Sequence, residues 1–172
     1  MVTAQEKAAA KKRLNMRNPW HLLATGFGSG LSPIVPGTMG SLAAIPFWLL
    51  MDKLPVWSLW VIIVVGFWFG CWICQRTSDD MRIHDHGSIV WDEFIGMWIT
   101  LMAIPVVSIQ WVLTGFLIFR VYDMWKPWPI RIFDRRVSGG FGIMIDDIIA
   151  AIFAYVTIWL LVHYQVMPFD LS

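Results

Sequence analysis

Residues 56–74 run for 19 positions without a charged side chain. As a helix rising 1.5 Å per residue they would reach about 28 Å, close to the roughly 30 Å hydrocarbon core of a bilayer. A segment in lipid must satisfy its own backbone hydrogen bonds, so this run is restricted to helix. The rest of the chain has to be compatible with that span. Its composition is: 58% of the 172 residues are hydrophobic and 12 are Trp, while charged residues make up 15%, against roughly 25% in soluble domains. The fold class expected is an all-α integral membrane protein, one small bundle with no room for a second soluble domain. A net charge of +1 gives no reason to expect nucleic acid as a partner.

The chain is expected to divide into residues 1–17, a polar basic arm carrying Lys7, Lys11, Lys12, Arg13 and Arg17, and residues 18–172, a single membrane-embedded domain. The arm resembles the start of a signal peptide, but glycines and prolines break the stretch that follows, so an uncleaved cytoplasmic arm is expected. Residues 26–41 hold five Gly and two Pro, a density that argues for bent or non-helical backbone. A re-entrant or interfacial segment is expected there, then a helix over about 40–50. Further spans are expected over 88–107, 110–125 and 144–166, with polar connectors at 75–87 and 126–142. Together these give about five transmembrane helices. Of the 13 Lys and Arg, only Lys53 falls outside the first arm, the 75–87 connector and the stretch from Arg120 to Arg136. The positive-inside rule then places the N-terminus in the cytoplasm and the C-terminus outside.

With that topology the unusual polar groups gather at the cytoplasmic helix ends: Thr38 in the glycine-rich segment, Asp92 and Glu93, the run from Arg120 to Asp134, and Asp146 with Asp147. Acids at helix N-termini are also what the helix macrodipole favours, at roughly 0.3–1 kcal/mol each. Two features exceed that explanation. The acids come as adjacent pairs, and apolar residues flank them closely, although an acid at mid-membrane costs about 2.5–3.5 kcal/mol on insertion scales. Clustered carboxylates without a cysteine partner suit a hard divalent cation such as Mg2+, which keeps waters and shares substrate phosphate oxygens. Asp92, Glu93, Asp146 and Asp147 are the candidate metal ligands, with Glu93 and Asp147 expected as the more inward members. Arg120, Lys126 and Arg131 offer phosphate contacts; Asp123, one helical turn from Arg120, either pairs with it or acts as a base. Gly37-Thr-Met-Gly-Ser41 could present N–H groups to an anion at a helix start, or simply pack closely at a helix entry. His84 and His86 form a weak metal or proton-relay signal, more simply a solvated loop. Cys71 and Cys74 read as small packing residues.

From about residue 18 to residue 151 the sequence resembles the phosphatidylglycerophosphatase A family of bacterial inner-membrane lipid phosphatases. The resemblance rests on Gly37-Thr-Met-Gly-Ser41, Ile89-Val-Trp-Asp-Glu-Phe-Ile-Gly96, Phe119-Arg-Val-Tyr-Asp-Met-Trp-Lys-Pro-Trp-Pro-Ile-Arg131 and Gly139-Gly-Phe-Gly-Ile-Met-Ile-Asp-Asp147, in that order. It implies Mg2+-dependent removal of the terminal phosphate of phosphatidylglycerophosphate, a lipid phosphomonoester, at the cytoplasmic face of the inner membrane. Neither cysteine has an Arg at the spacing of a cysteine phosphatase, so metal-assisted hydrolysis is the chemistry expected, with Asp92, Glu93, Asp123 and Asp147 as its catalytic carboxylates. A small transporter or ion-binding membrane subunit could use the same charges. Transporters commonly show internal repeats and midplane charges; here no repeat is evident and the charges sit at one face.

Overall fold

The computed structural model describes residues 3–84, 86–128 and 137–166. Among them are seven α-helices, one short 3-10 turn and no strand. They are α1 (Ala4–Lys11), α2 (Pro19–Ala24), α3 (Pro36–Met51), α4 (Val56–Met81), α5 (Trp91–Leu101), α6 (Ile109–Trp125) and α7 (Gly139–His163). The last five pack as a bundle around α5, which touches α3, α4, α6 and α7.

The uncharged run becomes the first part of α4, but the helix continues through Arg76, Asp79 and Asp80 to Met81. Half of the expected 75–87 connector is therefore helical. Helices α4 and α7, of 26 and 25 residues with mean hydropathy 2.1 and 2.0, are long and apolar enough to cross a membrane. The segment expected as a third full span is helical for only 11 residues, and every one of them is buried. At 1.5 Å per residue α5 is about 16 Å long. A helix apolar on all sides is one surrounded by protein, and α5 is the core rather than a lipid-facing wall. Its indoles fix its depth: Trp91 Nε1 donates to Gly66 O and Trp98 Nε1 to Ala44 O, both at 3.0 Å.

Helix α3 starts at Pro36, earlier than expected, because proline's fixed φ suits a first helical turn where its missing N–H is not needed. Before it, the glycine-rich segment is irregular as expected. Gly26, Phe27 and Gly28 all have positive φ, and a Cβ on Gly30 would stand 2.3 Å from Ser88 O. That close approach lays the segment on the 82–90 connector, where Val90 N donates to Ala24 O at 2.8 Å.

Helix α7 starts at Gly139, inside the stretch expected as connector. A Cβ on Gly140 would lie 1.8 Å from Cys71 O, so the crossing of α4 and α7 is set by bare backbone.

The basic arm is an ordered cap. Lys11 Nζ donates to Leu31 O at 2.7 Å and Arg13 Nη1 to Met81 O at 2.8 Å. His86 Nε2 meets Lys7 O at 3.0 Å, and His21 bridges Asn15 N and Asp80 Oδ2, each at 2.9 Å.

Candidate active site

Three helix termini and one helix interior build a cleft of about 290 Å3 at one end of the bundle. It is lined by Pro36 and Gly37 from α3, Asp92 and Glu93 from α5, Asp123, Met124 and Lys126 from the end of α6, and Asp146 and Asp147 from α7, with Gly87 and Ile89 from the connector. Both members of each acidic pair face it. The sequence-based choice of one inward acid per pair is replaced by four nearly buried carboxylates.

The pairs arrive differently. Asp92 and Glu93 sit in the first turn of α5, where the macrodipole favours them. Asp146 and Asp147 do not: α7 begins seven residues before Asp146, and its first turn holds no acid. Helix-end electrostatics fade within one turn, so they do not account for this second pair.

Arg120 is buried and ties the acids together. Its Nη1 donates to both Glu93 oxygens at 2.5 Å and lies 2.8 Å from Asp123 Oδ2. Ser41 Oγ donates to Glu93 Oε2 at 2.6 Å. The guanidinium is turned toward these carboxylates and is not among the cleft-lining groups. Lys126 does line the cleft, and its Nζ pairs with Asp146 Oδ2. The backbone of Lys126 is left-handed, φ 43°, which ends α6 and turns the side chain inward.

Gly37 is indispensable to this packing. A Cβ there would stand 2.2 Å from Glu93 Oε1 and 3.3 Å from Arg120 Nη2. Gly37 and Ser41, four apart on α3, form a shelf under the Glu93–Arg120 pair. Neither was singled out by sequence, although both bound the Gly37-Thr-Met-Gly-Ser41 motif. Thr38 follows Gly37 in the first turn of α3 but is not among the lining residues. Arg131 and Asp134 lie outside the described residues, as does Asp85. His84 is exposed and lines a different cavity; His86 is buried against α1, so the two histidines serve neither metal nor relay at this cleft.

The donor set fits a hard divalent cation. Around the cleft stand five carboxylates with only Arg120 and Lys126 to offset them, every donor is oxygen, and Asp147 Oδ2 is buried with no hydrogen-bond partner. Among the described residues no three acids already form a closed coordination shell. Magnesium does not require one, since it binds through one or two carboxylates plus waters and phosphate oxygens.

Residues 22–162 match the family model described as phosphatidylglycerophosphatase A. A phosphatidylglycerophosphatase A of Escherichia coli (strain K12) is 62% identical over 164 residues, covering 95% of each chain. One of Haemophilus influenzae is 49% identical over 155 residues, covering 90% of this chain and 95% of that one. No solved structure matches the chain.

Proposed function

The chain belongs to the phosphatidylglycerophosphatase A family, and from that premise we propose that the acidic cleft between α3, α5, α6 and α7 is where the lipid phosphomonoester is cleaved. The protein is a phosphatase of phospholipid biosynthesis that converts phosphatidylglycerophosphate to phosphatidylglycerol and inorganic phosphate. The observation that supports the site is the convergence of five carboxylates and Lys126 on one cleft, two of them placed where helix-end electrostatics gives no reason for them.

Asp92, Asp146 and Asp147 are the residues that would hold Mg2+, with Glu93 behind them fixed by Arg120 and Ser41. A bound divalent cation would polarise the phosphate and lower the pKa of an attacking water. Lys126 would bind a phosphate oxygen as a point charge. The N–H group of Gly37, in a helical first turn without acceptors of its own, would bind another. Asp123 Oδ2 is held by Arg120; its Oδ1 would accept the proton of the attacking water. Arg120 then acts through the carboxylates it orients.

The outer surface supports a membrane setting. Trp57, Trp60, Trp68 and Trp72 on α4, Leu117 and Val121 on α6, and Ile152, Val156 and Trp159 on α7 are exposed. Apolar side chains on this scale face lipid, or they aggregate in water. On this reading the five helices α3 to α7 cross the inner membrane with the cleft at the cytoplasmic face. Met124, which lines the cleft and is 67% exposed, marks the side on which the diacyl body enters.

The test is phosphate release from phosphatidylglycerophosphate by purified Asp147→Asn and Glu93→Gln proteins in detergent, with and without EDTA. A loss of about 100-fold or more in each variant is expected, and EDTA should silence the parent. Near-parental rates in both variants would remove this cleft from the chemistry.

A further inference from the structure

A second cavity lies at the same end of the bundle as the cleft and shares no residue with it. It measures about 410 Å3 and is lined by Glu6, Ala9 and Arg13 from the N-terminal cap and by Arg82, Ile83 and His84 from the start of the connector. Its charge is the inverse of the cleft's. Arg13 is anchored through Nη1 to Met81 O, which leaves the remaining guanidinium N–H groups to face the cavity. The Arg82 and His84 side chains make no hydrogen bond or ion pair among the described residues. Glu6 is an acid in this lining, its Oε2 held by the Thr3 backbone N–H and hydroxyl at 2.7 and 2.9 Å. Against this one carboxylate stand the guanidinium groups of Arg13 and Arg82, so the balance of charge is cationic.

The backbone of Arg82 adds an independent observation. It caps α4 in the left-handed region, φ 58° and ψ 30°, and the local bonds close a helix-ending turn, with Ile83 N donating to Ser78 O. Glycine normally fills such a position because it alone carries no Cβ penalty there. An arginine in that place costs stability, and its side chain satisfies nothing among the described residues in return. Strain kept at a position of this kind is a feature of functional sites.

The geometry points to an accessory anion site, formed by Arg13, Arg82 and His84, for a phosphate-bearing ligand. Guanidinium forks match phosphate oxygens. Two sources share that chemistry: the headgroup of an anionic phospholipid in the adjoining leaflet, and free inorganic phosphate. The inference does not depend on which residues perform the cleavage. It does give the site a path to the cleft. The connector that contributes Arg82 and His84 to this cavity continues through His86, pinned to Lys7 O, to Gly87 and Ile89 in the cleft wall.

The experiment is hydrogen exchange on the full chain in phosphatidylcholine nanodiscs. One arm adds inorganic phosphate; the other replaces part of the phosphatidylcholine by phosphatidylglycerol. Slower exchange in residues 82–84 is expected in at least one arm, and which arm responds identifies the source. Arg82→Gly should weaken that protection about tenfold, the loss of one charge-assisted contact, with a thermal midpoint equal to or above the parent's. His84→Ala, at an exposed position, should weaken it with no change in midpoint. No protection in either arm, protection unchanged in both variants, or a midpoint lowered by Arg82→Gly would each overturn the proposal. Phosphate release, measured separately, reports on the cleft alone.

Discussion

Gly37 sets the tolerance of the site at the scale of single atoms. The motif around it was legible in the sequence as a helix entry or an anion-binding turn. What the sequence could not display is that residue 37 lies beneath residue 93, because that contact exists only once α3 and α5 pack. Ser41 shares the blindness: its hydroxyl reaches Glu93 across 52 residues of chain. Gly37→Ala adds one methyl group 2.2 Å from Glu93 Oε1, and the carboxylate with its Arg120 partner has to shift. A displacement of about 1 Å near a reacting centre costs on the order of 100-fold in rate. The expected outcome is that loss in kcat, with membrane insertion and helix content unchanged by circular dichroism. Unaltered kcat would mean that Glu93 and Arg120 have slack which the structure does not show.

Helix α7 illustrates what patterning reveals about elements and what it hides. Its apolar body and its acids were readable. Its start was not, because Gly139, Gly140 and Gly142 have the composition of a loop. Gly139 and Gly140 lie against Gln75 and Cys71 of α4, and Gly142 against Val137, so the helix starts here by close packing. Gly70 and Gly140 mark this crossing from both sides: a Cβ on Gly70 would meet Trp91 and Met144 at 2.6–2.8 Å, and one on Gly140 would meet Cys71 O at 1.8 Å. Gly140→Ala forces two helix backbones apart. Overpacking typically costs about 1–3 kcal/mol, and contact with rigid backbone places this change at the upper end. A fall in thermal midpoint in detergent, larger than for Ala substituted at exposed Ile152, would show it. Moving the helix start also changed the meaning of Asp146 and Asp147. Placed in a first turn they would be explained by electrostatics shared by all helices; placed two turns further in they are left for chemistry.

At the scale of the whole molecule, five carboxylates converge in one cleft while Trp57, Trp60, Trp68, Trp72 and Trp159 stand exposed on the outer faces of α4 and α7. The proposed orientation rests on a count of Lys and Arg and on no contact, so it is tested by fusions rather than by the fold. Reporters that are active only in the periplasm, fused after residue 53 and at the C-terminus, should both be active, and a fusion after residue 84 should be silent. A silent C-terminal fusion would break the five-crossing topology while leaving the cleft intact. The N-terminal cap was the least legible part. Lys11 and Arg13 each act through one hydrogen bond to a distant carbonyl oxygen, and His21 bridges Asn15 N and Asp80 Oδ2; a basic run does not specify them.

The shortness of α5 governs how such a protein is made. Eleven helical residues, about half of the roughly 20 that a spanning helix needs, give little insertion energy, and the two leading acids subtract from it. The segment cannot be held in lipid by itself. It depends on α3, α4, α6 and α7 gathering round it, so the acidic wall of the cleft is completed only when these neighbours close. Assembly and activity thus share one requirement: a chain whose outer helices fail to close leaves α5, and with it Asp92 and Glu93, unsheltered.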